Sequence, residues 1–108
     1  MISLDDFKKC EIKIGTIISA EKVPEADRLV KLMIDLGEES PRQIISGIAE
    51  YFPDVSVLPG RQVPVLSNLA PRTIKGLESN GMVLYAVGEN LLKTISPDDN
   101  VPNGTEIR

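Results

Sequence analysis

Hydrophobic and polar positions alternate with a period of two along much of this chain, and glycine- and proline-bearing turns separate short apolar segments. Ile12, Ile14, Thr16, Ile18 and Ala20 alternate with Lys13, Gly15, Ile17, Ser19 and Glu21, which predicts one long strand with a bend at Gly15. Val30, Leu32, Ile34 and Leu36 fall on one face of a second strand, opposite Lys31, Met33 and Asp35. Gly37-Glu38-Glu39-Ser40-Pro41 then turns the chain into a third strand, Arg42–Ile48, rich in β-branched residues. Gln62–Leu66 and Gly81–Val87 supply a fourth and a fifth, and Leu91–Ser96 an extra strand outside them, before a polar turn region, Pro97–Asn103. Ahead of the first strand, Ser3 reads as the N-cap of a short helical turn with Asp5 and Asp6 near its positive end. Ala49–Phe52 is expected to form a single helical turn before Pro53. Five bent strands in about a hundred residues predict an all-β barrel, of which the OB-fold is the commonest small example. Periodicity alone leaves other small barrels open.

The length of 108 residues fits one domain, residues 1–108, and a hydrophobic fraction of 42% suits a folded core. No apolar run is long enough to cross a bilayer, and MISLDDFKK has no apolar stretch of signal-peptide type. The lone Cys10 forms no internal disulfide framework, and the expected location is a reducing cytoplasm. Charge at first points away from nucleic acid, since the net value is −4. Its distribution changes the picture. Between Val55 and Leu77 stand Arg61, Arg72 and Lys75 with no acid, so a basic face on an acidic body is expected.

Catalytic equipment is missing. There is no histidine, hence no imidazole to activate Cys10, which reads as a strand cysteine. Asp98-Asp99-Asn100 lacks the ligand spacing of a calcium loop. Neither enzymatic activity, nor a metal, nor a cofactor is expected.

Three stretches are hard to explain by packing alone: Pro24-Glu25-Ala26-Asp27-Arg28-Leu29, then Arg42-Gln43-Ile44-Ile45-Ser46-Gly47-Ile48, then Asn68-Leu69-Ala70-Pro71-Arg72 followed by Gly76 and Ser79-Asn80-Gly81-Met82. With Phe7, Ile12-Lys13-Ile14-Gly15 and the Pro-Asn-Gly turn at 102–104, they run in an order and spacing that resembles a tRNA-binding domain family. That family includes the C-termini of methionyl-tRNA synthetases, free-standing structure-specific tRNA-binding proteins and the endothelial monocyte-activating polypeptide. The resemblance implies a five-stranded OB barrel with a short N-terminal helical turn and C-terminal extension strands. It also implies recognition of tRNA shape, homodimerisation where the domain stands free, and a methionyl-tRNA synthetase catalytic chain as a partner. One departure is Lys13, which sits one position away from the arginine of many relatives and so on the opposite strand face.

The candidate tRNA contacts are Arg28, Arg42, Asn68, Arg72, Lys75, Ser79 and Met82. Arginine offers a planar fork to phosphate, a hydroxyl can bond a ribose 2′-OH, and a thioether can lie against a base. The plainer readings pair the arginines with Asp27, Glu38 or Glu39, place Ser79 in a turn and Met82 in the core, and make Asn68 a loop stabiliser. Only four aromatics, Phe7, Tyr51, Phe52 and Tyr85, argue against a single-strand binder that stacks bases on rings. The CsaA-like secretion chaperones also resemble the chain, in its Asp-Phe opening and Pro-Asn-Gly-Thr tail, and imply unfolded peptides as the alternative ligand. Leu91–Ile95 and Val101 lack an evident core to join, which gives a physical motive for a partner subunit.

Overall fold

Ser3 opens the first element by a reciprocal capping box. Its hydroxyl accepts from the Asp6 N–H at 3.1 Å, and the Asp6 carboxylate accepts from the Ser3 N–H at 3.3 Å. The computed structural model, which describes residues 1–108, runs from there into α1 (Leu4–Lys8) and then into long β1 (Ile12–Lys22). β2 (Val30–Asp35), β3 (Arg42–Ser46), β4 (Gln62–Leu66), β5 (Arg72–Ile74), β6 (Leu77–Ser79), β7 (Met82–Val83), β8 (Tyr85–Gly88), β9 (Leu91–Thr94) and β10 (Glu106–Ile107) follow.

Antiparallel pairing orders the main sheet β3-β2-β1-β4-β7, with β10 added to β1. The sheet curls until β3 and β7 meet, giving a nearly closed five-strand barrel. Closure uses the free edge of β3: the Asn80 N–H donates to the Gln43 carbonyl at 2.9 Å, and the Ile45 N–H donates to Ser79 Oγ at 3.0 Å. β2 alternates as its sequence predicts, and Val30, Leu32 and Ile34 join Ile17, Ile44, Ile48, Leu58, Val63, Val65 and Val83 in one core. The helical turn at 49–52 is present as two turn hydrogen bonds, Tyr51 to Ile48 and Phe52 to Ala49. Several predicted strands are shorter than expected: the second ends at Asp35, the third at Ser46 and the extra strand at Thr94, and the fifth divides into β7 and β8. β5, β6 and β10 were not expected as strands at all.

β1 departs from simple alternation. Its register against β2 shifts between Ile17 and Ser19, so Ile17 is buried and Ile18 exposed. A β-bulge there lets one long strand serve both β2 and β4 while it bends. Ile14 is buried outside this core, beneath the C-terminal segment, where its N–H donates to Thr105 and its carbonyl accepts from Gly104. Gly15 fills the inner position, because a Cβ there would lie 2.7 Å from Ile34 Cγ2 and 2.8 Å from the Asp35 carbonyl oxygen. Close approach is what this glycine permits.

Tyr85 ties the β8–β9 hairpin to the barrel, its hydroxyl 3.1 Å from Ser46 Oγ. Desolvation pushes its phenol up to about 12, against the opposing effect of the Ser46 hydrogen bond. An unfolded tyrosine ionises near pH 10, so the folded chain keeps the proton longer and stability falls as pH climbs from about 10 towards 12. Tyr85→Phe should flatten that alkaline loss, by up to about 2 kcal/mol, in thermal melts recorded across this pH range. Equal alkaline slopes for the two proteins would refute the coupling.

Candidate nucleic-acid interface

The candidate contacts rise from three parts of the barrel. Arg42 begins β3 and is half-buried. Its Nε and Nη2 each lie 2.8 Å from a carboxylate oxygen of Glu38, and Nη1 donates to the Ser67 carbonyl. The two groups hold each other charged. Hydrogen bonding to Arg42 lowers the Glu38 pKa, and the same bond raises that of Arg42. Glu38 is thus the partner that the plainer reading of Arg42 anticipated.

The β5–β6 hairpin carries the second group. Ile74 pairs with Leu77, leaving Lys75 and Gly76 as a two-residue turn with φ of 52° and 79°. Positive φ at both central positions is the requirement of a type I′ turn, which glycine and asparagine usually meet. A lysine held left-handed at an exposed hairpin tip is a local irregularity of the kind found at functional sites. Arg72, on the same hairpin, is also exposed, and neither side chain forms an ion pair.

Ser79 faces Arg72 across this hairpin but is only 1% exposed. Its hydroxyl accepts from the Ile45 N–H, replacing a strand partner at the β3 edge. In this arrangement Ser79 holds the hairpin to β3, and its hydroxyl, expected to meet a ribose, is turned into the protein. Asn68 is similarly engaged. Its Oδ1 accepts from the Glu11 N–H at 2.9 Å and its Nδ2 donates to the Lys9 carbonyl at 2.7 Å, clamping the start of β1 to the end of β4. Met82 pairs with Leu66 and remains 38% exposed.

Arg42 stands where the start of β3 meets the β4–β5 connection, through its bond to Ser67. A groove opens there between Met33, Arg42, Gln43, Leu69, Pro71 and Asn80. Met33 and Gln43, which pair across β2 and β3, were not among the sequence candidates. The available signal was a methionine on the otherwise charged face of β2. Arg28 stands apart, two residues before Val30, whose partner Ser46 is already roughly 13 Å from Arg42 along β3. It is exposed and lies 3.3 Å from Glu50. Arg61 leaves the expected basic face, since it donates to the Val57 carbonyl and to Thr94 Oγ1 and covers the Phe52 ring. No cluster of three or more histidine, cysteine or acidic residues is arranged to hold a metal ion.

The family model described as "Putative tRNA binding domain" matches residues 12–106. The chain is 48% identical over 108 residues to a methionine–tRNA ligase of Methanosphaerula palustris and 44% identical to that of Flavobacterium johnsoniae. All of the chain in the first case and 99% in the second is covered, but only 16% and 15% of the ligases. Among solved structures, a MetRS-related protein from Pyrococcus horikoshii superposes with a TM-score of 0.92 at 32% identity, covering 100% of this chain and 98% of that one. The chaperone CsaA from Bacillus anthracis reaches 0.89 at 30% identity, with 100% and 99% covered. Matched over nearly its whole length by the family model and by these relatives, the chain belongs to the tRNA-binding domain family.

Proposed function

We propose that this chain is a non-catalytic module, an OB-type barrel, that binds tRNA by its folded shape and backbone. The observation carrying the reading is the family match over residues 12–106, which includes every candidate contact. Geometry supports it through the exposed Arg72 and Lys75, which stand on one hairpin without an ion-pair partner. Phosphate contacts of this kind provide affinity without reading sequence. Arg28 extends the same interface along β2 and β3. In the cytoplasm the module serves methionyl-tRNA synthetase, as an appended domain or a separate subunit, or acts as a free-standing dimer. Exposed Leu4, Phe7 and Ile107 at one end, with Val87, Leu91 and Ile95 on the outer hairpin, are apolar surface that a second copy can bury.

The second reading, a peptide-binding chaperone, is favoured by the likeness to CsaA. A competition titration separates the two. The tRNA reading predicts saturable binding of folded tRNA that excess unfolded peptide does not displace. Saturable peptide binding indifferent to tRNA would replace it with the chaperone reading.

A further inference from the structure

Arg42 differs from the other candidate contacts in gripping both oxygens of a carboxylate. Its fork spans both oxygens of the Glu38 carboxylate at 2.8 Å, the arrangement in which arginine holds two oxygens of a phosphate. The pair is open to solvent, with the side chains of Arg42 and Glu38 25% and 38% exposed. Glu38 lies in the turn between β2 and β3 and lines the groove edge, where an approaching RNA strand must meet it. Its neighbour Glu39 lines the same groove but forms no ion pair with Arg42.

Building on the tRNA reading, we propose that Glu38 is a displaceable stand-in for an RNA backbone phosphate, whose carboxylate keeps the Arg42 fork closed until a phosphate takes over both its donors. The carboxylate sets a threshold. A phosphate presented at the groove edge by a folded RNA exchanges with Glu38, whereas a loosely held chain leaves the ion pair intact. The Nη1 bond to the Ser67 carbonyl keeps the guanidinium plane in place during the exchange.

Titration of the full chain with folded tRNA across salt concentrations tests this, using Glu38→Gln, Arg42→Ala, their double variant and Glu39→Gln. Glu38→Gln should bind about fivefold tighter, the upper range for releasing an exposed ion pair. Glu39→Gln, with the same change in net charge, should gain less than about twofold. The Glu38→Gln gain should vanish in the Arg42→Ala background. Thermal melts establish that each variant is folded, and Arg42→Gln, which removes the charge but keeps a polar side chain, replaces Arg42→Ala if that variant unfolds. Unchanged or weaker binding by Glu38→Gln, or a gain that survives removal of Arg42, would overturn the proposal while leaving wild-type tRNA binding intact. No binding by the wild type would overturn the tRNA reading itself, and this proposal with it.

Discussion

Affinity for folded tRNA should fall roughly a hundredfold as monovalent salt rises from about 50 to about 200 mM, the slope expected when four cationic side chains each displace a counterion from a phosphate. Arg28, Arg42, Arg72 and Lys75 are those four. Their environments rank them. Arg72 and Lys75 form no ion pair, Arg28 is held loosely by Glu50 at 3.3 Å, and Arg42 is doubly bonded to Glu38. The Arg72→Gln/Lys75→Gln variant should therefore reduce the slope by about two units and weaken binding to every tRNA tested by a similar factor. Because both residues stand on an exposed hairpin, the melting temperature should hardly change. A slope unaltered in this variant, measured by fluorescence titration, would remove the hairpin from the interface. Selective loss for some tRNAs would mean that these residues read bases.

The second large effect concerns the scaffold. Leu32→Ala should cost about 3 kcal/mol, since Leu32 is fully buried, lies opposite Ile44 on β3 and Ala20 on β1, and leaves a cavity the barrel cannot close. For a domain of this size such a loss lowers the melting temperature by roughly 10–20 °C. Small barrels have little reserve, and the loss is a substantial share of the 5–15 kcal/mol typical of whole domains. Calorimetric melts check it. A drop below about 1 kcal/mol would mean that β2 is not the centre of the core.

β2 was legible because one of its faces meets only core, so its apolar residues keep strict alternation. β1 was legible as a strand but not in phase. It serves two neighbours, and the bulge near Ile18 exchanges which positions point inward, a change that no period of two records. The β5–β6 hairpin was missed because each arm has three residues, too few for a period, although Lys75-Gly76 carried a turn signal. Among site residues, the exposure of Arg28 follows from the loop placement that its motif indicated, whereas that of Arg72 and Lys75 rests on the hairpin that was missed. Burial of Ser79 did not follow, since its hydroxyl substitutes for a backbone partner at a closing sheet edge and only the closed barrel reveals that need. Asn68 likewise bonds residues more than fifty positions earlier, a relation set by topology. The grip of Glu38 on Arg42 crosses a turn and depends on its geometry, so the sequence supplied the partners without choosing between Glu38 and Glu39.

The central claim is that a rigid barrel presents spaced cations to the fixed phosphates of a folded tRNA. Its most direct test compares one folded tRNA with an unstructured RNA of equal length and charge, titrated against the same protein at several salt concentrations. The account predicts tighter binding of the folded tRNA at each of them, with both affinities declining as salt rises. Equal affinity for the two RNAs, or no binding of either at low salt, would contradict it.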